Sequence, residues 1–292
     1  MGLATLSKSR TLSRSIQIEG TGVHSNTPCS VLLKPAVSDT GLRFIHPASS
    51  TVIPVHISCL KSTSYATSLS KNGIEVQTVE HLLSALVGLS IFNLDLVLES
   101  DATIQELPIL DGSSKEWVAA ILDAGISNLE LPQKTIKINE RIHVIQGDKS
   151  ISIEPASGLI IDYTIQFHQS SIGTQRQRLV LSPESYLSEI GSARTFCLES
   201  EINTMKKLGL AKGGSLDNAI VFAAHGPLND SLRYVDEPVR HKILDLVGDL
   251  ALLGCPLEGK IVAQGAGHQL HTELCRNIMQ EAHKWELTTL AS

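Results

Sequence analysis

His241 and Asp245 stand four residues apart in a segment that opens at Pro238 and is apolar at Ile243, Leu246, Val247 and Leu250. On a helix this spacing puts an imidazole and a carboxylate on one face about one turn apart, with Asp249 extending the stripe and the apolar residues opposite. Such a pair can hold one divalent metal, but alone it is the ordinary pattern of a surface ion pair, so a metal needs a third ligand. The run Thr78-Val79-Glu80-His81 offers one. His81 falls in the first turn of a helix beside Glu80, a carboxylate placed to take a proton from a water at the metal. Three protein ligands with an acid that does not bind the ion form the pattern of a catalytic zinc site. Two imidazoles and one carboxylate suit zinc, though iron or cobalt would accept the same ligands.

His268 follows a strand and Gly265-Ala266-Gly267, a flexible approach by which a side chain can enter a cleft. In a hydrolase a protonated histidine there would stabilise a developing oxyanion and protonate a leaving amine, with Asp249 raising its pKa through a hydrogen bond. Lys242 and Thr195 could add donors to the same oxyanion or to a phosphate. Each of these residues, taken singly, reads as an ordinary cap, turn or surface residue.

The elements that must bring them together alternate between strand and helix. Ser15 to Glu19 and Ser30 to Leu33 read as a hairpin turning at Gly20 to Gly22, and Phe92 to Leu98 as a half-buried strand with period two. Leu82, Leu83, Leu86 and Val87 recur at helical spacing over Thr78 to Gly88. A second helix is expected at Ser114 to Ala124, with Ser113 and Glu116 as a capping box and Gly125 as terminator. Ile126 to Lys134 has little periodicity and contains Pro132, so it reads as a linker between domains 1–128 and 129–292. Beyond it, strands are expected at Thr135 to Val144, Ser150 to Glu154 and Leu159 to Phe167. Helices follow at Ser182, Glu199 to Leu208 and Pro238 to Gly254, then a strand at Gly259 to Gly265 and a last helix at Gly267 to Glu286. Both halves run strands, helices, strand, helix, which makes the fold class α+β with no residue-level repeat.

A chain of 292 residues has room for two domains with their own cores, and its 42 % hydrophobic content describes a globular protein. Its net charge of −6 and pI near 6.0 give no basic field to hold a nucleic acid, so any phosphate must be met locally. Met1 to Gln17 lacks an apolar stretch of signal-peptide length, and the longest apolar runs are far short of the ~20 residues of a spanning helix. Five widely spaced cysteines without a CxxC pair read as free thiols in a reducing compartment. A cytoplasmic monomer is the expectation.

Several long stretches in one order resemble the UDP-3-O-acyl-N-acetylglucosamine deacetylases of lipid A biosynthesis. They are Gly20-Thr21-Gly22-Val23-His24, Thr78-Val79-Glu80-His81-Leu82, Pro108-Ile109-Leu110-Asp111-Gly112-Ser113, Ala193-Arg194-Thr195-Phe196, Gly213-Gly214-Ser215, Val239 through Asp245, Gly248-Asp249-Leu250 and Gly267-His268. The resemblance covers roughly residues 10 to 285. It implies two similar domains, each a β-sheet layered against helices, with the active site between them.

It also implies zinc at His81, His241 and Asp245, Glu80 as general base, His268 as acid with Asp249 as its partner, and Thr195 and Lys242 on the oxyanion or substrate. By the same match Phe196 lies against the sugar, Lys149 and Phe167 take the UDP moiety, Gly214 and Ser215 contact substrate, and an insert at about Phe196 to Ser215 builds a passage for the acyl chain. The chain departs from the family at Gly265, where relatives often carry a basic residue, and at His271, where they carry Asn; these departures bear on phosphate contacts and substrate fit. Competing readings are another zinc amidohydrolase acting on a small amide, and a non-catalytic RNA-binding α/β protein with structural zinc. The missing basic patch and the absence of cysteine ligands speak against the latter.

Overall fold

The computed structural model describes residues 8–168 and 171–289. A five-stranded sheet takes the order Ile16–Thr21, Pro28–Pro35, Leu94–Leu98, Leu42–His46, Thr51–Pro54. The expected hairpin is present, running from Ile16 opposite Leu33 to Thr21 opposite Pro28. Leu94, Leu96 and Leu98 point into the core from the central strand, while Asp95 on the other face takes two hydrogen bonds from Arg43. Helix α1 (Glu80–Gly88) and helix α2 (Lys115–Ala124) belong to this half of the chain, and α2 packs on the strand Ile16–Thr21.

The second sheet has seven strands, and Leu257–Gln264 is its spine. Leu159–Gln166 runs parallel to one edge of that strand; Lys149–Glu154 runs antiparallel and Lys134–Ile138 parallel along the rest. Helix α3 (Pro183–Ser185) is capped by Ser182 as expected and continues into a π-turn; α4 (Glu199–Lys207), α5 (Glu237–Leu250) and α6 (His268–Gln280) complete the α-helices among the described residues. Helix α6 packs on the strands Ile142–Gln146 and Lys149–Glu154, while α5 packs on α1, on α6 and on the strand Leu159–Gln166. The order of layers is sheet, helices, helices, sheet, an α+β sandwich.

Helix α5 departs from the expected amphipathic reading. Every residue but Arg240 and Lys242 is buried, because α1 covers the His/Asp face that the sequence left spare. The two helices meet backbone to backbone at Gly248, where a Cβ would lie 2.2 Å from the carbonyl oxygen of Glu80.

Four other elements differ from expectation. Ile126–Pro132 is a strand, antiparallel to Lys8–Leu12, so its pairing partner lies more than a hundred residues upstream and overrides its weak local pattern. The expected strand Thr135 to Val144 is two, Lys134–Ile138 and Ile142–Gln146. The last helix stops at Gln280, and Trp285–Thr289 forms a strand that pairs antiparallel with Lys134–Ile138. Ser113 makes no capping box with Glu116. Its hydroxyl donates to Asp111 and accepts the amide of Lys115, leaving α2 without a side-chain cap. Gly125 does terminate that helix, with φ 75°.

Candidate metal centre and cavity

The close approach at Gly248 brings the first turn of α1 against the middle of α5. His81 and His241 lie edge to face with ring centroids 5.2 Å apart, and one ligand atom from each of His81, His241 and Asp245 lies within 4.8 Å of the others. His241 Nε2 is 3.2 Å and His81 Nε2 4.0 Å from Oδ1 of Asp245. Tetrahedral ligands at zinc distances stand about 3.3 Å from one another, so this donor set has the size for one ion. Nδ1 of His241 donates to the carbonyl of Ala193 at 3.0 Å, which leaves the lone pair on Nε2 directed at the centre. Burial, reinforced by the neighbouring His241, pushes the pKa of His81 down to about 3, so His81 is neutral. Lys242 Nζ donates to Oδ2 of Asp245 at 2.7 Å, occupying the oxygen that faces away from the imidazoles. Among the described residues His81 Nδ1 is a buried nitrogen with no hydrogen-bond partner. The residues present fit a divalent metal.

Glu80 is 3 % exposed and makes no place in this ligand set. Its Oε2 accepts the amide of Thr67 at 3.0 Å, and Oε1 lies 3.9 Å from Nε2 of His268. Burial, partly opposed by His268, pushes its pKa up to about 7. His268 behaves oppositely: burial would lower its pKa, but Asp249 and Asp245 outweigh that and raise it to about 9. Its Nδ1 donates to Oδ2 of Asp249 at 2.7 Å, and Thr67 donates its hydroxyl to Oδ1 at 2.6 Å. Asp249 is thus a carboxylate held ionised behind the histidine despite its burial. A base that is weakly basic and an acid that keeps its proton face one another across the centre, the pairing that general acid–base chemistry needs.

The centre opens into a cavity of 490 Å³. Thr195, Phe196, Lys242, Gly214 and Ser215 line it together with Glu80, His81, His241, Asp245 and His268. Thr195 is fixed by its own backbone, its amide donating to Gly112 and its carbonyl accepting from Ile220. Away from the metal ligands the lining is mostly apolar, with Ile202 and Met205 from α4 joined by Val23, Ile109, Val221 and Leu228. The segment 196–215 therefore forms one side of the cavity. It is fastened to the first half by hydrogen bonds from Gly213 to Val23 and from Ala211 to Nδ1 of His24.

Asp249 stands behind His268 rather than in the cavity. Phe167 does not line it either; its ring lies edge to Phe196 at 5.6 Å. Lys149 is exposed on its strand, outside the lining, with its stem 3.3 Å from where a side chain at Gly265 would begin. Gly265 itself has φ +58°, which favours glycine at that position. His271 is fully buried and donates Nδ1 to the same Asp249 oxygen at 2.8 Å, with its Nε2 2.8 Å from the Tyr163 hydroxyl. The sequence reading missed Thr67, Tyr163 and Glu106. Thr67 and Tyr163 carry no local signal, since their partners are distant in the chain; Glu106 sits two residues before the Pro108 motif and was within reach.

The family model for UDP-3-O-acyl N-acetylglycosamine deacetylase matches residues 9–280. A protein of that activity from Nautilia profundicola is 39 % identical over 276 residues, 94 % of this chain and 93 % of its own. One from Thermosynechococcus vestitus is 40 % identical over 274 residues, 93 % and 94 % of the two chains, and one from a Psychrobacter species is 39 % identical over 288, 97 % and 96 %. All three carry the name UDP-3-O-acyl-N-acetylglucosamine deacetylase.

Proposed function

The chain belongs to the UDP-3-O-acyl N-acetylglycosamine deacetylase family, and from that premise we propose that it is a zinc-dependent hydrolase. It removes the N-acetyl group of UDP-3-O-acyl-N-acetylglucosamine and releases acetate, a step of lipid A biosynthesis. The observation that carries this reading is the meeting of His81 with His241 and Asp245 while Glu80 and His268 stand free of the ligand set, 3.9 Å apart.

His81, His241 and Asp245 would hold zinc, which would supply Lewis acidity toward the acetamide carbonyl and acidify water. Glu80 receives a proton from the attacking water, and its raised pKa matches that task near neutral pH. The developing oxyanion meets the Thr195 hydroxyl and the Lys242 ammonium. His268 holds a proton through its bond to Asp249 and delivers it to the amide nitrogen as the C–N bond breaks, so amine and acetate leave with the water's atoms divided between them. Phe196 packs on the sugar, Gly214 and Ser215 border it, and the apolar wall from 196–215 receives the acyl chain. Lys149 and Phe167 are read as contacts of the UDP moiety, Lys149 in place of a basic residue at Gly265, which its position beside Gly265 supports.

We read the chain as two units, the boundary expected between 128 and 129 shifting to the end of the strand Ile126–Pro132 because that strand pairs with Lys8–Leu12, and as a cytoplasmic monomer. No described helix is long and apolar enough to cross a membrane, and all five cysteines are free. The deciding experiment measures zinc content beside acetate release from the UDP-sugar, with and without chelator. Zinc-loaded protein that releases no acetate would overturn the reading; release that stops with chelator and returns with zinc supports it.

A further inference from the structure

Glu106 is 6 % exposed and takes no part in the chemistry above. Its carboxylate nevertheless joins three segments. Oε1 accepts the amide of His24 at 2.8 Å and the hydroxyl of Thr78 at 3.1 Å, and Oε2 accepts the amide of Ser25 at 2.8 Å. The approach depends on a glycine: a Cβ on Gly22 would sit 2.1 Å from Oε2. Thr78 has φ 56°, a left-handed backbone that a β-branched residue adopts only when its surroundings impose it. Thr78 lies two residues before Glu80 and three before His81, so its backbone sets the direction in which the first turn of α1 leaves the strand Ile74–Gln77. On the other side, Val23 and His24 form a cavity wall and receive the hydrogen bonds of Gly213 and Ala211.

We infer that Glu106 is a positioning residue that fixes two things at once. It holds Thr78 in the strained conformation that aims Glu80 and His81, and it holds the Val23–His24 wall against the segment that encloses the acyl chain. The inference rests on the proposed deacetylase reaction for its kinetic readout, but the hydrogen bonds can be tested without it.

Glu106→Gln turns one acceptor into an NH2 group that meets a donor. With zinc stoichiometry unchanged, kcat falls on the order of 10- to 100-fold, as misplaced catalytic groups do, and KM rises as the wall loosens. Adding Thr78→Gly, which takes positive φ without steric cost, restores kcat while KM stays raised. Wild-type kinetics for Glu106→Gln, or no recovery of kcat in the double variant, overturns the inference. Amide hydrogen exchange in the wild-type holoprotein decides independently of folding in the variants and of any activity. The His24 and Ser25 amides exchange slowly if Glu106 holds them, and exchange at the rate of free loop amides refutes it. Failure of deacetylation altogether would count against the proposed function and leave this exchange result standing.

Discussion

Gly248 lets helix α5 touch the backbone of Glu80: a Cβ at that position would lie 2.2 Å from the Glu80 carbonyl oxygen and 3.1 Å from its Cα. The contact sets the spacing between the residue-81 imidazole on α1 and the ligand pair on α5. Gly248→Ala forces the helices apart, because both surfaces there are backbone and neither can yield by a rotamer change. Overpacking of this kind costs roughly 1–3 kcal/mol. The variant is expected to unfold at lower denaturant and to bind zinc more weakly; unaltered zinc affinity would show that the helix spacing does not govern the centre.

Removing a ligand and removing the base should have separable effects. His241→Ala loses an imidazole from a three-ligand set and is expected to lose its metal, while Glu80→Ala keeps full metal and loses on the order of 10²- to 10⁴-fold in turnover. Metal analysis of the purified variants beside acetate release reads both. A metal-replete His241→Ala protein would remove that residue from the ligand set.

The pH dependence follows from Glu80 working ionised and His268 working protonated. Burial pushes Glu80 up to about 7, and the carboxylates Asp249 and Asp245 raise His268 to about 9 against its burial. A cation in the centre favours the Glu80 carboxylate and disfavours the His268 imidazolium, so both limbs in the loaded enzyme lie at or below those values. kcat/KM is expected to rise with pH through the first limb and fall through the second. His268→Gln should lose the falling limb; its persistence would assign that limb to another group.

Arg194 and Glu237 form a buried pair, with Glu237 fully buried and Arg194 nearly so. Burial alone would raise the pKa of Glu237, but the Arg194 guanidinium and the amides of Arg194 and Arg233 outweigh it and depress it. A carboxylate depressed in the folded state stabilises it above the unfolded value of about 4.3, and that stability is lost as pH falls through the lower folded value. Glu237→Gln leaves Arg194 buried and unpaired, an expected cost of roughly 3–5 kcal/mol near neutrality. Denaturant titrations should show the variant losing less further stability than the wild type as pH is lowered through that window; parallel curves would refute the pairing's role.

Much of the centre was legible because its pieces are local. The i, i+4 spacing of His241 and Asp245, the adjacent Glu80 and His81, and the glycines before His268 each report one turn or one strand end, and short-range geometry follows from sequence spacing. The strand Ile126–Pro132 was not legible, since its partner Lys8–Leu12 lies at the far end of the first half and its own pattern is weak. Trp285–Thr289 was hidden for a related reason, as the apolar positions of α6 run on toward it and only the edge of Lys134–Ile138 selects a strand.

The amino-acid sequence by itself determined which groups could bind a metal, which could move a proton and, through several ordered motifs, which family the chain resembles. Only the tertiary structure decided that His81 reaches the pair on α5, that Asp249 is shared by His268, His271 and Thr67, and that Glu106 ties three segments together. Those relationships join residues 19 to 182 positions apart. Their distances depend on how two sheets and their helices stack, a sum of many packing contacts that no local pattern encodes.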